Sequence, residues 1–407
     1  MKILIITQLY PEPDDEGDNK PTKTVEYFAK QWGEMGHDVV VCHCPSKFPI
    51  IFYMVPQRIK DRVGGQSSNI VPPIASRKQI ERQEFGIRII RYPMLKILPG
   101  MGYSDRVMHK QSKVIEEKLR TLNFYPDVVV GHFANPSTAL TAILASHYKA
   151  KASIVFHHDC NLKNIQKYKL KFWINKIGAI GARSILEANS VKKLLELKRL
   201  PFLCYSGVPN DVVAKAKTLC DKHTDNSSIK ILYVGSFIKR KYLDSVIKGF
   251  ELFGQKSSTL EIVGGGPEEA EIKSLAKKTS VSNRIHFAGR IPRQEVMNRM
   301  KEAEVFTLIS TGETFGMVYI EAMLQGCIVI ASRGEGFDGI IKNGVNGFLC
   351  EPGNYNELAD IYKKISLLTK SERNQIGQNA IDVAMHFSER EVADNYLNDI
   401  IESQGTY

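Results

Sequence analysis

The 407 residues contain no Cys-x-x-Cys pair, and the seven cysteines (Cys42, Cys44, Cys160, Cys204, Cys220, Cys327 and Cys350) are scattered and odd in number. That spacing indicates neither a zinc site nor a disulfide framework, and it suits a reducing compartment. No segment reaches the roughly 18 uninterrupted apolar residues that a membrane span requires. The opening apolar run is short and passes into a Pro/Asp loop, so a first strand explains it better than a signal peptide. There is no Asp-x-Asp triplet to suggest a divalent-ion site. The glycines at 264–266 do not follow the G-x-G-x-x-G spacing of a dinucleotide fingerprint. A net charge of +11 comes without a nucleic-acid signature or a long basic run. Between nucleic acid, an anionic membrane surface and a merely basic solvated surface, the membrane surface is preferred, and no nucleic-acid partner is expected.

The chain is too long for one compact core and suits two domains. Residues 2–7, 22–35 and 38–44 spell strand, helix, strand, which predicts a parallel sheet. Helical spacing recurs at 110–122 and 136–148, and strands are expected at 126–132 and 153–159. The latter two end in His132 and in His157-His158-Asp159. Ligands of open α/β sheets collect at carboxyl strand ends, so His132, His157 and Asp159 stand where a cleft is expected. Ser190, at the end of the run Glu187-Ala188-Asn189, reads as the cap of a helix at 191–197. The polar, lysine-rich stretch 211–228 reads as a linker. The domains are accordingly set at 1–210, joined by a terminal helix at 388–407, and at 211–387.

Residues 305–321 organise the second half. A buried strand, 305–309, leads into a glycine-containing loop, 310–316, and a helix from Met317 that ends at Gly326. Strand, glycine loop, helix aims free backbone N–H groups at an anion. Glu313 stands in the loop and Glu321 one turn inside the helix. The helix start suits a phosphate, while the carboxylates repel phosphate and suit hydroxyls. A nucleotide sugar offers both. Upstream, three cations, Lys239, Arg240 and Lys241, precede another helix and can neutralise a diphosphate.

Glu313-x7-Glu321 with Phe315-Gly316 between resembles the Glu-x7-Glu motif of retaining GT-B glycosyltransferases of family 4, the group 1 transferases. The text that follows, from Glu321 to Ser332 and from Gly344 to Gly353, is similar to that family as well. The resemblance implies an α/β GT-B fold: two Rossmann-like βαβ domains facing each other across a cleft, with the C-terminal helix crossing back to the first. It implies a retaining glycosyltransferase of the bacterial surface-polysaccharide type, using a nucleotide sugar and, at family level, UDP. The acceptor would be a glycan or a lipid-linked saccharide. Catalytic roles fall on Glu313, Lys241, Arg240 and His132. Donor contacts fall on Gly235, Ser236, Lys241, Gly264, Arg290, Ile291, Glu313, Phe315, Gly316, Met317 and Glu321. Ser236 stands where many members have an arginine, so that contact passes to Lys239 or Arg240. Gly17, His157 and Asp159 are acceptor-side candidates, although only Gly17 stands where the family has a Gly-Gly pair. No metal and no cofactor is expected.

Residues 48–106 combine an apolar, aromatic run at 48–56 with Arg58, Lys60, Arg62, Arg77, Lys78 and Arg82. Either a face toward an anionic membrane or lipid-linked acceptor, or a core strand with a solvated loop, accounts for that mixture. A cytoplasmic protein, at the inner face of the cell membrane, is the expected location. A GT-B epimerase or phosphorylase, or a basic lipid- or nucleic-acid-binding module, are the alternatives.

Overall fold

The computed structural model describes residues 1–12, 23–54, 77–98, 101–216, 222–223 and 228–403. The chain divides into two compact units. The first holds residues 1–183, 187–204 and 393–407, and the second holds 184–186 and 205–392.

The strands of the first unit are β1 (Lys2–Thr7), β2 (Asp38–His43), β3 (Ser46–Lys47), β4 (Ile80–Glu84), β5 (Ile87–Arg91), β6 (Met94–Leu95), β7 (Val128–His132), β8 (Lys151–Phe156), β9 (Ala179–Ala182) and β10 (Phe202–Leu203). Eight make one sheet in the order β10-β9-β8-β7-β1-β2-β5-β4, and β3 pairs with β6 in a separate parallel ribbon. Strands covered on both faces must be apolar along their length, and Ile3 to Ile6 in β1 are fully buried. Among the described residues one pairing is antiparallel, β4 with β5, and it turns at Phe85 and Gly86, both at positive φ. That geometry matches the twist of the flanking strands. The hairpin lies inside the stretch 48–106.

The first helix, Thr24–Glu34, buries Val25, Phe28, Ala29 and Trp32, the positions its periodicity marks. The last helix, Glu389–Glu402, completes that face. Tyr396 packs 5.1 Å from the Phe28 ring and 5.3 Å from Trp32, and Trp32 Nε1 donates to Ala393 O at 2.9 Å. An indole N–H buried without an acceptor costs about 1–3 kcal/mol, so this bond fixes where the helix lies. Residues from 393 onward accordingly belong to the first unit.

Two local expectations are corrected. Residues 179–182 form β9, and the helix is Ile185–Leu195, with Ser190 exposed in its interior rather than capping a helix at 191–197. Short apolar runs do not distinguish strand from helix, and the place beside β8 decides for strand. Residues 211–216, expected as linker, lie in the helix Asn210–Ala216, and the division between units falls after Cys204.

The second unit is one parallel sheet of β11 (Lys230–Val234), β12 (Thr259–Val263), β13 (Ile285–Gly289), β14 (Val305–Thr307), β15 (Ile328–Ser332) and β16 (Phe348–Cys350). Its order is β13-β12-β11-β14-β15-β16. The order reverses between β11 and β14, which is where open sheets of this kind place a ligand, outside the carboxyl ends of the strands.

Candidate functional site

The loops leaving β11 and β14 carry Lys241 and Glu313. After β11 the chain makes one 3-10 turn, Lys239–Lys241, and Lys241 N–H donates to Ile238 O at 2.9 Å. The Lys241 side chain is 11 % exposed and forms an ion pair with Glu313, itself 16 % exposed. Ser310 Oγ donates to the same carboxylate oxygen at 3.0 Å, and Arg240 Nη1 lies 3.8 Å from it. The two loops are also laced by backbone: Thr311 N–H donates to Arg240 O at 2.8 Å, and Arg240 Nη1 donates to Thr311 O at 3.2 Å.

A third loop completes the cradle. Glu313 N–H donates to Glu335 at 3.0 Å, and Gly336 N–H donates to Glu313 O at 3.0 Å. A Cβ on Gly336 would lie 2.3 Å from Glu313 O and 2.4 Å from Thr314 O, so the approach requires glycine. Gly264 has a comparable role. Its φ is +136°, and a Cβ there would stand 1.9 Å from Gly235 O. Gly264 N–H donates to Gly289 O at 2.8 Å, which stitches the ends of β12 and β13.

The helix Met317–Leu324 opens at Gly316, φ 85°, and no side chain caps it. Its first amides are left to water or an anion. Glu321 sits one turn inside and pairs with Arg293, which is half-exposed while Glu321 is 12 % exposed. Arg290 and Ser236 are exposed at neighbouring strand ends, and Ile291 and Met317 are half-buried. The arrangement therefore offers cations and open amides for a diphosphate, with carboxylates nearby for hydroxyls.

Phe315 enters the motif through its backbone. It is buried among Tyr205, Phe337 and Phe387, with ring centroids 5.1, 5.7 and 5.7 Å away, so its side chain is core and only its backbone can meet a ligand. Ser310, Glu335 and Arg293 were not singled out from the sequence. Ser310 and Glu335 flank glycine loops, which is a signal in principle. Arg293 carries none, because its partner is 28 residues away on another helix.

In the first unit, His132 ends β7 with no exposed surface. Its Nδ1 lies 3.0 Å from His157 Nε2, and its ring lies between Phe28 (5.7 Å) and Tyr396 (5.8 Å). Burial, with Arg183 nearby, depresses its pKa to about 3, and the same causes in the same order hold His157 well below the usual range. His132 is thus a packed ring in contact with His157, with no exposed surface in this structure. His157 is half-buried and stacked on Phe133 at 4.1 Å. Asp159 accepts from the N–H groups of Ala134 and His157, and burial raises its pKa against those bonds. Gly17 lies outside the described residues. Among the described residues no group of three His, Cys, Asp or Glu side chains is placed to hold a metal.

Residues 219–383 match the family described as Glycosyl transferases group 1. A protein of Methanocaldococcus jannaschii called an uncharacterized glycosyltransferase is 24 % identical over 76 % of this chain and 83 % of its own. A putative teichuronic acid biosynthesis glycosyltransferase of Bacillus subtilis is 24 % identical over 92 % of this chain and 90 % of its own. The crystal structure of an Anabaena protein in complex with UDP superposes with a TM-score of 0.65 at 16 % identity, covering 98 % of this chain and 100 % of that one. The fold is GT-B, and the likeness to group 1 glycosyltransferases read from residues 305–353 is borne out.

Proposed function

We propose that this chain is a retaining glycosyltransferase that moves a sugar from a UDP-sugar to a saccharide acceptor during surface-polysaccharide synthesis. One observation carries the reading: Lys241 and Glu313 meet at the reversal of strand order, between loops that lead to an uncapped helix start. The UDP in the Anabaena complex and the teichuronic acid pathway of the Bacillus relative support the donor and the acceptor class.

In this reading the diphosphate draws Lys241 off Glu313 and rests on Lys241, Arg240 and the amides after Gly316. Charge developing on the leaving group is stabilised by these fixed cations and dipoles, so no metal is called for. Glu313, released, accepts hydroxyls of the donor sugar, and Glu321 accepts the ribose hydroxyls. The bond from the anomeric carbon to the phosphate oxygen breaks as the acceptor oxygen bonds to that carbon on the same face. The acceptor's proton passes to the departing phosphate oxygen, and configuration is retained.

Peripheral binding at the cytoplasmic face of an anionic membrane is part of the proposal. Around the ribbon of β3 and β6, Ile50, Ile51, Met54, Leu95, Ile97 and Leu98 are each at least 50 % exposed. Exposed apolar side chains on a chain of net charge +11 suit an anionic interface. No helix among the described residues is long and apolar enough to cross a membrane.

The test is a thermal-shift panel of UDP-, GDP- and ADP-sugars, with and without EDTA, followed by NMR of the product anomer. A ligand that binds only the folded chain raises Tm. A shift with UDP-sugars alone, unaffected by EDTA, and a product of unchanged anomeric configuration are expected. An inverted product or an EDTA-sensitive shift would remove the corresponding part of the reading.

A further inference from the structure

The first unit contains a cavity of about 500 Å³ whose lining includes Tyr103, Arg106, Asn135, Lys167, Lys169 and Trp173. It lies between the start of the helix Asp105–Thr121, the residues after β7, and the short helices Leu162–Lys167 and Leu170–Ile174. None of these residues was assigned a role from the sequence. We propose that this cavity binds an acidic saccharide, a sugar ring carrying a carboxylate or a phosphate, as part of the acceptor. The proposal rests on the transferase reading and narrows its acceptor class.

Three features point to that ligand. The first is charge: Arg106, Lys167 and Lys169 line the cavity against one carboxylate, Asp105, which is already held by Lys169 at 2.6 Å. Among the described residues Arg106 and Lys167 have no ion pair, so an arriving anion finds cations whose charge is not yet neutralised. Behind the wall, Lys96 is 3 % exposed and lies 5.2 Å from the Tyr103 ring with no carboxylate partner among the described residues. An anion in the cavity would compensate it across a short, poorly solvated path.

The second is an unused donor. Asn135 is 4 % exposed, and its Nδ2 has no hydrogen-bond partner among the described residues. Buried amides are almost always paired, so an unpaired one in the wall of a cavity marks a place for an acceptor atom from a ligand. Carboxylate, phosphate and sugar hydroxyl oxygens all qualify.

The third is an aromatic wall. Trp173 and Tyr168 line the cavity, and Lys167 Nζ lies 4.9 Å from the Tyr168 ring. Flat apolar faces beside cations accommodate the C–H face of a pyranose while its acidic group meets the charge. The wall is fixed in place. Tyr103 Oη donates toward Met94 O at 3.2 Å and lies 3.0 Å from Ser46 Oγ. Gly102 runs so close to the Leu162–Lys167 helix that a Cβ would stand 3.0 Å from Lys167 O. The cavity also adjoins the loop of Asp159: Ala134, in its lining, donates its N–H to Asp159, and Asn164 Nδ2 donates to Asp159 O at 2.8 Å.

Tryptophan fluorescence of the full chain tests this. The chain has two tryptophans. Trp32 is sealed in the interior of the first unit, so a ligand in the cavity is reported by Trp173. The probes are digalacturonate, glucose 1-phosphate and the neutral disaccharide maltose, each titrated at fixed ionic strength. Saturable quenching by at least one acidic probe and none by maltose is expected. Digalacturonate acting alone assigns the site to a uronate, and glucose 1-phosphate acting alone assigns it to a phosphorylated sugar or lipid-linked headgroup. Trp173→Phe should abolish the signal, and Arg106→Glu with Lys167→Glu should weaken binding tenfold or more. Asn135→Asp should do the same with an unchanged Tm. Equal quenching by maltose, no saturation with either acidic probe, or unaltered binding in the Arg106/Lys167 variant would overturn the proposal. A UDP-sugar thermal shift on the same samples separates the two readings: if it persists while the acidic probes fail, only the cavity assignment falls.

Discussion

Lys241 and Glu313, 72 residues apart in the chain, form an ion pair that bridges the loops of the adjacent strands β11 and β14. Both side chains are largely buried, yet Ser310 and Arg240 also serve the carboxylate. In the proposed reading the pair holds a cation for the diphosphate and a carboxylate for the sugar hydroxyls.

Lys241→Ala is therefore expected to lower kcat by about a hundredfold or more, because leaving-group charge loses its principal partner. Lys241→Arg should recover part of that loss. The measurement is release of the nucleoside diphosphate under saturating donor. Full kcat in Lys241→Ala would remove the leaving-group role.

Glu321→Ala should act on donor binding. A charge-assisted hydrogen bond is worth about 1.5–3 kcal/mol, so KM should rise about ten- to a hundredfold with kcat little changed. A donor lacking the ribose hydroxyls should show the same loss with the unaltered chain and no further loss with Glu321→Ala. Arg293→Ala removes only a half-exposed partner, and such pairs contribute about 0–1 kcal/mol, so KM should move less than about fivefold. Additive losses from Glu321→Ala and the deoxy donor would show that the carboxylate does not read the ribose.

Gly336→Ala inserts a methyl group against Glu313 O and Thr314 O. Overpacking of this kind costs about 1–3 kcal/mol and is relieved here by moving the loop that carries Glu313. Donor binding by calorimetry should weaken at least tenfold while Tm falls by only a few degrees. A variant with native donor affinity would show the three-loop contact to be dispensable.

Acid stability should report His132. Its pKa is about 3 in the folded chain, against about 6.5 unfolded, so between those values the unfolded chain binds a proton that the native one excludes. Its contribution to stability is intact above pH 6.5 and is lost as pH falls, by up to about 1.4 kcal/mol per pH unit. Asp399 works in the opposite sense: burial raises it to about 6, so its protonation favours the native chain as pH falls from there toward the usual carboxylate value. The raised Asp159 and Glu187 add to that offset. The comparison is thus with His132→Gln, in urea unfolding at pH 7, 6 and 5. The gap between the two proteins should shrink toward low pH. Parallel stability curves would mean that His132 takes up a proton in the native state.

The strand at 2–7, the helix 317–324 with its stop at Gly326, and the apolar face of the first helix were all legible from local pattern. The same local pattern marks Lys241, Glu313 and Glu321 as candidates, because a glycine loop between strand and helix, bracketed by charge, carries its signal in consecutive residues. The hairpin of β4 and β5 was not legible, since Ile80 to Glu84 alternates with charged residues as a solvated loop also can. Strand β9 is not marked by local pattern either, because Ala-Ile-Gly-Ala satisfies either period.

Sequence alone determined the class of fold, the placing of the phosphate-suited loops and the identity of the charged groups, because backbone periodicity, glycine and proline act over a few residues. Tertiary structure decided the rest. It chose which strands are neighbours, and so brought Lys241 to Glu313 and Arg293 to Glu321. It buried the rings of His132, which ends a strand, and of Phe315, which stands within the Glu-x7-Glu motif. It also enclosed a cavity from residues 103–108, 134–139 and 167–173. Burial and long-range pairing depend on the summed packing of segments far apart in the chain, which no local pattern records.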